Sequence, residues 1–140
     1  MLSRLQAQCS RREYCSGDVL AKALKALDGN AALAGEVLDS LVADGFLSDA
    51  RYASAFAREK AQLDGWGPIK IRHALALKGI SREVADTALL EIDEPAADGR
   101  LERLMAAKAK LLQGDPQARL KLIRYALSRG YEYNQIQKYL

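Results

Sequence analysis

Residues 71–80 read IRHALALKGI, and the same pattern returns at residues 37–46 (VLDSLVADGF) and 122–131 (LIRYALSRGY). In each copy an apolar residue stands eight positions before a glycine, and a large apolar residue follows the glycine directly. A glycine at this place is typical of a helix C-terminus, where the backbone turns left-handed and the next apolar residue folds back. A repeated helical hairpin predicts stacked units, which build extended binding surfaces more often than catalytic clefts.

Nine helices are predicted from apolar periodicity and from breaks at glycine and proline. Their bounds fall near 3–12, 17–28, 31–44, 49–63, 68–78, 82–92, 97–113, 117–129 and 133–140. We expect Ser16 to cap the second helix, Pro68 to begin the fifth, and residues 92–95 to form a linker. Residues 8–14 loosely repeat the hairpin pattern as a fourth copy, with Glu13 at the glycine position.

These helices group into three units of three helices, over residues 1–47, 48–94 and 95–140. Each unit is too small to bury its apolar face alone, so the units should stack into one continuous array. The predicted fold class is therefore all-α, with three tandem three-helix repeats forming an elongated, curved body of about nine helices.

The composition excludes several classes of protein. The 140 residues are 49% hydrophobic and 28% charged, which favours a folded chain, and no apolar run reaches the length of a membrane span. The N-terminus lacks the apolar stretch of a secretory signal, so we expect a cytoplasmic protein. Cys9 and Cys15 are predicted to be buried thiols, because a disulfide is unusual without an export signal.

No set of residues typical of a catalytic or metal site stands out. Lys78 and Gly79 lack the spacing of a phosphate-binding loop. His73 is the single histidine, so no histidine pair is available for a metal, and we place it at a surface or an interface. We therefore predict no enzyme activity, no cofactor and no metal.

Basic residues are the candidate binding groups. The net charge is +3, and residues 101–140 hold eight Lys and Arg against three Asp and Glu. Such charge suits phosphates or an acidic protein surface, which the planar guanidinium can grip with two hydrogen bonds. Trp66 is interpreted either as an anchor for the partner or as a plug between units. The predicted partner-binding residues are Trp66, Lys70, Arg72, Lys78, Arg82, Arg119, Lys121, Arg124 and Arg129.

Four segments, in their order along the chain, resemble the RecX family of bacterial recombinase regulators. They are Arg11–Tyr14, Asp44–Ala53, Gly65–Ser81 and Ser128–Tyr131. The resemblance covers nearly the whole chain and implies three tandem three-helix repeats. It also implies a non-enzymatic protein that lodges in the groove of the RecA–DNA filament. Such a protein inhibits the ATPase, strand-exchange and coprotease activities of RecA, and thereby modulates DNA repair and the SOS response.

Two other functions fit parts of the sequence. A helix-turn-helix DNA-binding protein also has short hairpins with glycine turns, although no helix here concentrates base-reading side chains. A helical-repeat scaffold for another protein needs only the stacked units. We expect the RecA filament on DNA as the partner, at most a weak contact with single- or double-stranded DNA, no membrane, and a monomer.

Overall fold

The computed structural model describes residues 1–140 and contains nine α-helices and no strand, which confirms the predicted all-α fold. None of the helices is both long and apolar enough to cross a membrane. The helices are α1 (Leu2–Arg11), α2 (Ser16–Ala26), α3 (Ala31–Ala43), α4 (Asp49–Gln62), α5 (Pro68–Leu77), α6 (Arg82–Leu90), α7 (Glu94–Leu111), α8 (Ala118–Ser128) and α9 (Tyr133–Gln137).

The three copies of the repeated pattern end in the same turn. Gly45, Gly79 and Gly130 have φ angles of 76°, 80° and 94°, in the left-handed region. After each glycine, the next amide donates to the carbonyl five residues back, which closes the helix end. These bonds run from Phe46 to Leu41 (2.9 Å), from Ile80 to Leu75 (3.1 Å) and from Tyr131 to Ala126 (3.3 Å).

The predicted fourth copy is wrong. Helix α1 ends at Arg11, and Arg12 is extended, with φ −159° and ψ 164°. A left-handed turn at Glu13 would strain a residue that carries a Cβ, so the chain leaves α1 in extended backbone. The Glu13 carboxylate instead accepts a hydrogen bond from Arg51 at 3.0 Å.

Two predicted helix starts need correction. Cys15, not Ser16, occupies the N-cap position of α2, and Ser16 is the first helical residue. Residues 92–95 are not all linker, because the Asp93 carboxylate caps α7 by accepting from the Ala96 amide at 3.3 Å. Pro95 fits within the first turn because it lacks only an amide that would have no helical partner there.

Three apolar clusters follow one another along the chain. The first contains Leu5, Cys9, Val19, Ala23, Ala34, Leu41 and Leu47. The second contains Cys15, Ala53, Ala57, Ala61, Ile71, Leu75, Ile80, Ala85 and Ala88. The third contains Leu101, Met105, Leu122, Ala126, Tyr131 and Ile136. Cys15 precedes α2 but is buried in the second cluster, so it links the N-terminal helices to α4–α6.

The predicted state of the cysteines is confirmed, since Cys9 and Cys15 are both buried and not joined in a disulfide. Burial raises the pKa of each thiol. The division of the chain into units at 47/48 and 94/95 stays a prediction.

Candidate partner-binding surface

Backbone contacts join the segment before α5 to the end of α8; we call this the second joint, residues 64–70 with residues 129–131. The Gly67 amide donates to the Arg129 carbonyl at 2.7 Å, and the Ile69 amide donates to the Gly130 carbonyl at 2.9 Å. Gly67 is buried, and a Cβ on it would lie 2.4 Å from the Gly130 carbonyl carbon. No other residue type leaves room for this approach.

Two side chains complete the second joint. The Tyr131 hydroxyl donates to the Gly65 carbonyl at 3.0 Å, and Arg129 donates through Nη2 to the Asp64 carbonyl at 2.7 Å. Burial raises the pKa of Tyr131, so its hydroxyl keeps the proton that it donates. Arg129, a predicted partner-binding residue, is therefore part of the internal structure.

A first joint, residues 13–18 with Asp49, Arg51 and Lys78, connects α1 and α2 to α4 and α5. The Ser16 amide and hydroxyl donate to the two carboxylate oxygens of Asp49 at 2.8 and 2.7 Å. Lys78 donates through Nζ to Asp18 at 3.1 Å. Hydrogen bonding to Asp18 raises the pKa of Lys78. Three long-range residue pairs thus hold the first joint: Ser16 with Asp49, Lys78 with Asp18, and Arg51 with Glu13.

The four recognisable sequence segments are therefore two pairs of joint partners. Residues 11–14 meet residues 44–53 at the first joint, and residues 65–81 meet residues 128–131 at the second.

Trp66 lies at the second joint, half-buried against the second apolar cluster. Its ring meets the edge of Phe56 with 6.3 Å between centroids. The ammonium groups of Lys60 and Lys70 lie 5.0 and 4.5 Å from the centre of the Trp66 ring, within the range of cation–π attraction. These contacts all lie within residues 48–94, so both interpretations of Trp66, as a plug between units and as a partner anchor, stay predictions.

Three further predicted residues make ion pairs within the protein. Arg72 donates to Asp86 at 2.9 Å, joining α5 to α6. Lys121 pairs with Asp115 at 2.6 Å, next to the start of α8, and Lys78 belongs to the first joint. All three side chains remain partly exposed, so they can also face a partner.

The remaining predicted residues, Arg82, Arg119 and Arg124, are the ones that solvent reaches freely. Arg82 is 84% exposed, and its nearest carboxylate, Asp86, is 3.8 Å away. Arg119 and Arg124 on α8 are exposed and form no ion pair. His73 is also exposed, as predicted. These three arginines are the strongest candidates for contact with a partner.

Sequence reasoning did not single out Arg100 and Arg103. Both belong to α7, and both lie beside Arg129 in a cleft at the second joint. Their spacing on α7 does not predict that they lie beside Arg129, because Arg129 is far from them in the sequence.

An all-helical array of three-helix units, joined through glycine contacts and carrying exposed basic side chains, is the class of protein that this structure defines. A family model described as RecX, second three-helix domain, matches residues 48–89. The regulatory protein RecX of Chromohalobacter salexigens is 32% identical over 130 residues, which cover 91% of this chain and 82% of the relative. The chain therefore belongs to the RecX family of regulatory proteins.

Other comparisons agree with this assignment. The regulatory protein RecX of Shewanella oneidensis is 30% identical over 114 residues, covering 71% of this chain and 89% of the relative. A crystal structure of regulatory protein RecX superposes with a TM-score of 0.88 at 21% identity, over 99% of this chain and 68% of the other. A crystal structure of RecX from Lactobacillus salivarius gives 0.86 at 22% identity, over 99% and 93%. At these identities the two structures show a shared fold.

Proposed function

We propose that this protein is a negative regulator of the RecA recombinase. It binds in the groove of the RecA filament on DNA and inhibits ATP hydrolysis, strand exchange and coprotease activity, and it thereby modulates DNA repair and the SOS response. The observation that carries the proposal is the similarity to the regulatory protein RecX of Chromohalobacter salexigens along 91% of the chain. The role is one of binding and not of catalysis.

The architecture supports a surface of this kind. The three apolar clusters are joined in series through the first and second joints, so the exposed arginines of α6 and α8 are held on one connected body. Charges spread along such a body favour association with an acidic surface and lose strength as salt screens them. Binding energy distributed in this way requires no enclosed site.

Among the nine predicted partner-binding residues, we assign the main contact to Arg82, Arg119 and Arg124. The other six make contacts within the protein that are closer than 3.8 Å or lie at the second joint, so their replacement would remove an internal contact as well as a surface charge. Arg119 and Arg124 lose no ion pair when they turn to an external carboxylate, and Arg82 loses only its exposed 3.8 Å pair with Asp86.

The proposal is tested by titrating the protein into RecA assembled on single-stranded DNA while ATP hydrolysis is followed. We expect hydrolysis to fall as the protein is added. The variant Arg82→Glu/Arg119→Glu/Arg124→Glu should need about tenfold more protein for half inhibition, from three surface charge contacts. The control Arg4→Glu/Arg11→Glu/Lys25→Glu changes three exposed cations without ion pairs by the same charge and should stay close to the wild type.

Two outcomes would count against parts of this proposal. Unchanged hydrolysis with the wild-type protein in excess over RecA would overturn the regulator function. Equal inhibition by the wild type and the triple arginine variant would leave the function standing and show that the partner meets another surface.

A further inference from the structure

Three arginine side chains line one cleft of about 300 Å³ beside the second joint; we call it the arginine cleft. Arg100 and Arg103 reach it from α7, and Arg129 reaches it from the end of α8. Its other walls are largely formed by Leu63, Leu104 and Ala107, along with Gln62, Asp64 and Gly65. Three positive charges thus share a small space with partly apolar walls.

No acidic side chain neutralises these three charges. No carboxylate oxygen lies within 4.0 Å of a nitrogen of Arg100, Arg103 or Arg129. Asp64 is the one acidic residue of the cleft wall, and its carboxylate pairs with Lys60 at 3.0 Å. Like charges held together without a counter-ion repel, and this repulsion falls when an anion enters.

Apart from Arg129 Nη2, the guanidinium nitrogens of Arg100, Arg103 and Arg129 donate no hydrogen bond within the protein. The Nε atoms of Arg100 and Arg129 are buried and have no partner. A buried donor without an acceptor keeps the cost of its lost hydration, so such donors are rare in folded proteins. Arg129 donates only through Nη2, to the Asp64 carbonyl. Because the two Nε atoms have almost no accessible surface, the donors available to an acceptor in the cleft are the terminal guanidinium nitrogens.

The buried Tyr131 hydroxyl lies in the electrostatic field of two of the guanidinium groups. Burial raises the pKa of its hydroxyl, and the positive charges of Arg100 and Arg129 oppose that rise. The two arginines come from α7 and from the end of α8, and both line the arginine cleft.

We propose that the arginine cleft binds a phosphate group, either in a small phosphorylated molecule or in the backbone of a nucleic acid. Arginine forks match the oxygens of a phosphate in pairs, and three of them suit a group with several oxygens and more than one negative charge. A single carboxylate of an acidic protein presents two oxygens and one charge, which leaves more of the donors unpaired. This site requires no RecA, so it goes beyond the regulatory function proposed above.

The test uses the purified full chain alone, with three probes: pyrophosphate, a fluorescent single-stranded oligothymidylate, and poly-glutamate at the same ionic strength. Pyrophosphate binding is read from the rise in Tm, and binding of the polymers from fluorescence anisotropy, with poly-glutamate as competitor and as labelled probe. The variant is Arg100→Gln/Arg103→Gln, which removes no ion pair. The matched control, Arg4→Gln/Arg11→Gln, removes two exposed arginines of α1.

We expect at least one phosphate probe to bind the wild type and the control, and to bind the cleft variant about tenfold or more weakly, since bonds from charged donors are lost. For the oligothymidylate, the slope of log K against log salt should fall by about 1.4, because two phosphate contacts disappear. Loss of the pyrophosphate effect alone identifies a free phosphate as ligand. Loss of oligothymidylate affinity alone identifies the nucleic-acid backbone.

Equal binding of both phosphate probes by the cleft variant and the wild type would overturn the proposal. So would an effect confined to poly-glutamate, which would make the cleft a site for an acidic protein. Circular dichroism checks that the variant keeps its helices. If the double variant fails to fold, Arg103→Gln alone repeats the test, with the same outcomes and with a slope change of about 0.7.

Discussion

Replacing Gly67 by alanine should open the second joint. Gly67 has φ −84° and ψ 172°, a backbone conformation that alanine adopts freely, so the substitution costs nothing locally. The cost is steric, because the new methyl would lie 2.4 Å from the Gly130 carbonyl carbon and oxygen and 2.5 Å from the Tyr131 amide nitrogen. These are backbone atoms, which cannot turn aside as a flexible side chain can.

The expected loss in the free energy of unfolding follows from the hydrogen bonds of the second joint. Its separation breaks or lengthens two backbone hydrogen bonds, from Gly67 and Ile69, and the two side-chain bonds of Arg129 and Tyr131. Each such bond contributes about 1 kcal/mol net. Four bonds set an upper figure of about 4 kcal/mol, and partial retention sets a lower one of about 2 kcal/mol. We expect Gly67→Ala to lower the free energy of unfolding by an amount in this range.

Urea unfolding followed by circular dichroism measures this change, and hydrogen exchange at the Ile69 amide reports the joint itself. In an array, loss of one interface can uncouple its neighbours, so α7–α9 should unfold at lower urea than the rest in the variant. The control is Gly35→Ala within α3, where an added Cβ meets no atom within 4 Å. That change should stabilise the helix by about 0.5–1 kcal/mol.

A Gly67→Ala protein that unfolds as the wild type does and keeps its Ile69 amide protected would contradict this prediction. Such a result would mean that the units do not meet through these backbones.

Three further predictions concern other parts of the chain. Gly79→Ala should lower the free energy of unfolding in urea by about 1–2 kcal/mol, because φ is +80° although the space around it is open; an unchanged value would contradict the left-handed helix end. Cys9 and Cys15 should react slowly with a thiol reagent at pH 8 until urea unfolds the protein, because burial raises the pKa of both thiols; fast labelling of the folded protein would disprove their burial. Burial alone would raise the pKa of Asp18, but hydrogen bonds from Lys78 and Cys15 and nearby positive charge outweigh it and lower that pKa below 3.8. The stability that Asp18 contributes is therefore present above 3.8 and lost as the pH falls through its folded pKa, so Asp18→Asn should flatten the acid side of the stability curve; an unaltered acid side would rule out the contribution.

Helix ends and starts could be predicted from the sequence where a single residue type fixes the backbone conformation. The glycines of the three hairpins and Pro68 predicted helix ends and starts correctly, since each acts within its own turn. The fourth copy of the hairpin pattern, at residues 8–14, was a wrong prediction. Its flanking residues match the other copies, but Glu13 stands where the helix end requires a glycine. The linker predicted at residues 92–95 is wrong because Asp93 is a typical N-cap residue and Pro95 is tolerated in the first turn of α7.

Contacts between units were not readable in the sequence. Arg129 donates to the Asp64 carbonyl, 65 positions away in the sequence. No pattern within either segment predicts that the two segments are in contact. The same holds for Arg51 and Glu13, which are 38 positions apart. Outward basic charge was predicted from helix periodicity, but whether a given cation is free, as Arg124 is, or committed to an internal carboxylate, as Arg72 is, depends on the packing of helices.

The central claim is that this chain binds the RecA filament. Its most direct test is sedimentation of RecA assembled on single-stranded DNA in the presence of the protein, with bare DNA and RecA without DNA as controls. The account predicts that the protein enters the pellet with the filament, saturates at a fixed ratio to RecA, and stays in the supernatant with RecA alone. Protein that remains in the supernatant at every filament concentration, or pellets equally with bare DNA, would contradict it.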